Sequence, residues 1–160
     1  MNRIPALLIV IATLTLGVAS QPTLARDNSF HGESRSYRVY LGIVPVSMLE
    51  KNPDLVDQDK QLHGGVSEQP ATMQHVMVTV FRKKNNVRVL NATVIAKVGR
   101  SKVFASRVAE KPLEKMVTSG TVAYANLFDM PERGEYRIEV NIYESQKSGS
   151  ETIRFAYEKN

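Results

Sequence analysis

Three side chains with soft donor atoms fall at alternate positions of one short stretch: Met73, His75 and Met77 in Met73-Gln-His-Val-Met-Val-Thr-Val80. The alternation predicts a β-strand with Val76, Val78 and Val80 on one face. The other face then carries Met73, His75, Met77, Thr79 and, one step on, Phe81. Successive residues on one face of a strand lie about 6.5–7 Å apart. Methionine is long and flexible enough for such neighbours to converge on one ion. Thioether sulfur and imidazole suit Cu(I), so copper is the candidate ion. Further candidate ligands outside the regular strands are His63, beside Gly64 and Gly65, together with Met116 and Met130. His31 lies in a polar N-terminal stretch and is a poorer candidate.

The same residues allow a second reading. Met73 and Met77 could pack under the segment 45–66 or against a partner sheet, with His75 capping a backbone carbonyl. A docking surface for another envelope protein could then be built from Met77, Phe81 and that segment. The two readings differ in side-chain chemistry. Metal binding needs the imidazole and the sulfurs, whereas docking tolerates His75→Gln and Met→Leu.

Other chemistries are excluded by what the chain lacks. There is no cysteine among the 160 residues. That removes thiolate zinc, iron–sulfur and haem-attachment motifs, thiol nucleophiles and a lipobox. It also leaves sheet packing, not disulfides, to stabilise the fold. No nucleophile elbow or His-Glu-x-x-His element is present. Asp54, Asp57 and Asp59 cluster without the glycine and closing glutamate of a calcium loop. Gly64-Gly65 is too short for a phosphate cradle. The net charge of +5 is mild and dispersed, unlike a nucleic-acid site with its basic stripe and interleaved aromatics. The chain is expected to be non-enzymatic.

The elements that must position the candidate ligands follow from the rest of the pattern. Arg3 precedes an apolar run over residues 4–18, of signal-peptide length and shorter than the roughly 20 residues a spanning helix needs. Cleavage is expected after Ala25 or after Ser20. The expected organisation is a signal peptide over 1–25, a flexible segment over 26–34 and one domain over 35–160, periplasmic or secreted, with no membrane span after cleavage. Strands are predicted near residues 36–44, 73–81, 87–90, 92–98, 121–128, 136–142 and 152–157. Residues 45–66 form a partly helical insertion, with Asn52 before Pro53 resembling a helix start. Residues 101–112 carry no clear period. About seven short strands with frequent turns predict an all-β, immunoglobulin-like Greek-key β-sandwich. Gly134 followed by Tyr136 just inside a strand matches a tyrosine corner, so both are expected to be structural.

The order of strand, long loop, His-Val-Met-Val-Thr-Val, polar turn, Asn-Ala-Thr-Val, a later Met and Pro-x-x-Gly-x-Tyr-Arg-Ile-Glu-Val resembles small exported bacterial immunoglobulin-like domains. The nearest named families are the YtkA-like and FixH-like ones, over about residues 70–158. The resemblance implies a place in the periplasm or at the outer face of the inner membrane, and a link to copper handling or oxidase assembly. The chain departs from a FixH-like protein in lacking a convincing membrane anchor and in carrying the 45–66 insertion. The expected function is a periplasmic accessory that binds or delivers copper; the alternative is a metal-free interaction module.

Overall fold

Runs that alternate inward and outward side chains need two partners each, and the chain supplies them by folding its strands into two facing layers. The computed structural model describes residues 30–49, 71–118, 120–145 and 149–160. In chain order the elements are β1 (His31–Glu33), β2 (Tyr37–Pro45), the one-turn helix α1 (Val46–Leu49), β3 (Met73–Arg82), β4 (Val87–Arg88), β5 (Thr93–Arg100), β6 (Ala109–Thr118), β7 (Thr121–Asp129), β8 (Gly134–Tyr143) and β9 (Glu151–Lys159). All pairings are antiparallel, in the order β1-β2-β3-β7-β6-β5-β8-β9, with β4 also on β3. The first layer is β1-β2-β3-β7-β6 and the second is β6-β5-β8-β9. The expected β-sandwich is thus observed, with nine strands among the described residues where about seven were expected.

β6 belongs to both layers. Its first half, through Leu113, pairs with β5, and its second half, from Glu114, pairs with β7. Pro112 has no N–H to offer a continuing ladder. The facing groups are met by side chains instead: Asn126 Nδ2 donates to the Pro112 carbonyl at 2.8 Å and Lys111 Nζ to the Leu127 carbonyl at 2.8 Å.

Between the layers lies the main core. Tyr37, Val39 and Leu41 of β2, Val76, Val78 and Val80 of β3, and Tyr124 and Phe128 of β7 face Val94, Ala96 and Val98 of β5, Ile138, Val140 and Ile142 of β8, and Ile153 and Phe155 of β9. Burying this surface, at about 25 cal/mol per Å², is the main source of stability. Turns take the chemistry their sequence offers. Asn86 adopts a positive φ of 55° in the β3–β4 hairpin, and Gly134 a φ of 111° at the start of β8. Tyr136 makes the expected corner, donating to the Glu132 carbonyl at 3.0 Å and accepting from the Glu132 N–H at 3.2 Å.

Of the segment 26–34, expected to be flexible, residues 30–34 are described, and β1 lies within them. Leu41 N–H donates to the Phe30 carbonyl at 2.8 Å, so this segment is tied to the edge of β2. Gly32 sits where β1 crosses β9: a Cβ there would stand 2.5 Å from Ile153 Cγ2 and 3.0 Å from Phe155 Cε1. Both side chains are buried, so neither has room to yield. Gly32→Val is expected to release β1 at a cost of about 1–3 kcal/mol without unfolding the sandwich. Amide exchange would check it: the Leu41 N–H should lose protection while those of Val78 and Val140 keep theirs.

Candidate metal centre

β3 is flanked by β2 and β7, and register fixes what surrounds each outward side chain. His75 stands opposite Val44 on β2 and Leu127 on β7. Met77 stands opposite Gly42 and Ala125, and Met73 opposite Asp129. The valines of β3 enter the main core, so Met73, His75 and Met77 do share the outer face of the first layer. That division of faces is as the alternation predicts.

The two ends of this row differ. At the Met73 end, α1 lies on the sheet: Val46 and Leu49 pack with Leu127, Val44 and Met73 in an apolar cluster separate from the main core. His75, set in the row between Val44 and Leu127, is only 1% exposed. At the Met77 end the cover is incomplete and Met77 is half-buried. Its thioether lies over Gly42, where a Cβ would be 3.0 Å from Met77 Cγ and 3.6 Å from Sδ. A glycine inside a strand often marks a close approach of this kind, and it was the one sequence signal for Gly42. The cover from Val46 and Leu49 is the packing of Met73 under the segment 45–66 that the second reading allowed; the part taken by Leu127 had no sequence signal.

The remaining candidates scatter. Met116 is not outside the strands, as expected, but within β6, opposite Ala123 on the outer face. It is buried and lies two strands from Met77, about 12 Å by strand and residue spacing. Met130 does not share that face at all. It is fully enclosed in the main core, its backbone N–H donating to the Thr72 carbonyl at 3.2 Å and its carbonyl accepting from the Lys159 ammonium. A core side chain on the far side of the sheet cannot meet His75. His63 lies outside the described residues. His31 is on β1, its ring 5.2 Å from that of Tyr40. Among the described residues, no group of three or more His, Asp or Glu gathers as an ion site. Of the candidates, His75, Met77 and Met73 share one face of β3; imidazole and thioether are donors that suit Cu(I) better than the hard, oxygen-seeking cations.

Farther along the same face the chemistry changes. Tyr40 and Phe81 meet edge to face at 5.8 Å, and the Arg88 guanidinium sits 5.1 Å over the Phe81 ring. Beside them Arg38 and Lys83 both pair with Glu33. The hydrogen bond from Lys83, joined by that from Arg38, holds the Glu33 carboxyl down at about 2. Phe81, the expected partner-binding residue, is therefore one rung of a stacked ladder and only half exposed.

No family model matches the chain, and no curated protein does. Solved structures do. The copper-reconstituted P19 protein of Campylobacter jejuni is similar over 81% of this chain and 92% of its own, at 12% identity and a TM-score of 0.57. A copper-bound variant of FetP from uropathogenic Escherichia coli is similar over 81% and 93%, at 11% identity and 0.55. A DUF4426 family protein of Pseudomonas aeruginosa is similar over 80% and 94%, at 14% identity and 0.53. At these identities the likeness is one of fold.

Proposed function

We propose that this chain is a non-enzymatic exported accessory protein that binds a soft metal ion, Cu(I), on the outer face of its first layer. His75 and Met77 would hold the ion and Met73 would assist. The observation that carries the reading is the placement of an imidazole and two thioethers in one row of β3, on the face the core does not use. The copper named for P19 and FetP, on the same fold, supports it. A bound ion would give the protein a cargo that is kept from water beside an apolar cover. His75 supplies a nitrogen donor in a dry setting, and Met77 a sulfur at the open end. Hard donors on this face include the exposed Asp129 opposite Met73, the Thr79 hydroxyl and, beyond Ala125, Glu114.

Competition for Cu(I) against a chelator of known affinity tests this. The chain is expected to compete at micromolar protein. The double change His75→Ala with Met77→Leu should weaken it by at least about 100-fold, since removing even a supporting partner of a metal site costs about 10–100-fold. Met130→Leu should leave competition unchanged. Undiminished competition in the double variant, or none in the parent, would discard the site. The ladder of exposed Tyr40 and half-buried Phe81 favours the other reading, a metal-free interaction module. That reading gains if binding to an envelope partner survives His75→Gln and fails with Tyr40→Ala.

A further inference from the structure

We infer that α1 is a gate over His75, opening by local unfolding to admit a ligand from the open end of the row; its purpose rests on the copper reading, but the gating itself does not. A side chain on the outer face of a sheet is normally wet. Among the described residues, the cover beside His75 comes from Val44 and Leu127, which flank it in register, and from Val46 and Leu49, which pack onto that same patch. The cover is slight. Among the described residues the main core gathers twenty buried side chains, whereas the cluster under α1 has three, with Val44 and Met73 partly buried beside them.

The helix cannot hold itself. It has four residues, no acidic residue in its first turn and no basic one in its last. A single turn is unstable in water without tertiary packing. Elements with few buried apolar contacts open with a free energy well below that of global unfolding. Raising α1 removes Val46 and Leu49 from the sheet but leaves every ladder bond of β3 to β2 and β7 in place. His75 would then face water next to Met77, which is half-buried. Entry to the buried nitrogen is thus set by α1, and the sulfur of Met77 is the group an incoming soft ion meets first.

Deuterium exchange at the histidine ring C2–H, read by mass spectrometry on the full chain without metal, tests the gate. His31, about half exposed, is the internal reference. In the parent, the His75 C2–H should exchange at least about tenfold more slowly than that of His31, yet its protection relative to a free imidazole should be smaller than that of the Val78 and Val140 amides relative to free amides. Leu49→Ala should speed His75 about tenfold or more and leave those amides unchanged; Val46→Ala should do the same to a smaller extent. The gate is overturned if His75 exchanges as fast as His31 in the parent. It is equally overturned if His75 quickens only when the core amides quicken with it. If His75 exchange responds as expected and Cu(I) competition is absent, the gate stands and the copper reading falls.

Discussion

Met130→Ala is expected to destabilise the protein by about 2–5 kcal/mol, while Met77→Leu should shift it by less than about 1.5 kcal/mol. Urea unfolding would check both, through the midpoint at constant slope. Met130 is wholly enclosed in the core cluster with Phe128, Tyr136 and Ile138. Truncation there leaves a cavity with no room to collapse, because the residue's own backbone is pinned to Thr72 on one side and to the Lys159 ammonium on the other. Met77 is half-buried over Gly42 and can trade its thioether for a branched chain of similar volume. The pair separates two uses of one residue type. Met130→Ala should lower stability and leave Cu(I) affinity of the folded protein alone; Met77→Leu should do the reverse. A stability loss of several kcal/mol from Met77→Leu would mean that this sulfur belongs to the packing, not to a site.

That contrast marks where the sequence stops being readable. Period two in Val76, Val78 and Val80, or in Ile138, Val140 and Ile142, names the buried face because a strand has only two faces and one must be dry. Met116 and Met130 carry no such instruction. Methionine fills gaps in a core as readily as it faces outward, so only the register of β6 on β7 and the turn after β7 decide which way each points. β6 itself escaped notice for a related reason. Its buried side chains, Leu113 and Met116, are three apart because they lie on opposite faces, Leu113 in the main core and Met116 on the outer face, as the strand passes from one layer to the other. β1 was hidden by its shortness: three residues, two of them polar, carry no period. Their pairing is imposed by the edge of β2 and by the space that Gly32 leaves for Ile153 and Phe155. The site was legible to the same degree. The face of His75 and Met77 follows from local alternation, whereas the cover over it depends on four residues after Pro45 finding Leu127 across more than seventy positions of chain.

At the other end of β3, Glu144→Ala is expected to cost about 2–4 kcal/mol and to leave metal binding untouched. Tyr37 begins β2 and pairs in register with Arg82, the last residue of β3. Glu144, just after β8, accepts the Tyr37 hydroxyl at 2.7 Å and pairs with the Arg82 guanidinium. One buried carboxylate thereby joins the first layer to the second. Removing it takes the buried carboxylate acceptor from the Tyr37 hydroxyl, whereas Arg82, over a third exposed, regains water and contributes little to the loss. Most of the cost should therefore vanish in a Tyr37→Phe background, and a double-mutant cycle should give a coupling of about 1.5–3 kcal/mol. Additive losses would show that Glu144 works through Arg82 instead. His75 is seven residues, about 23 Å, from Arg82 along β3, so the folded variant should bind Cu(I) as the parent does. The same tyrosine sets an alkaline limit. Burial, aided by the Glu144 carboxylate, raises the Tyr37 phenol, and burial likewise raises Tyr124 and Tyr157. A phenol raised by folding contributes stability that is complete below its ordinary value of about 10 and is lost as pH climbs through the folded value. The unfolding midpoint should therefore fall with pH above about 10, and Tyr37→Phe should flatten that fall.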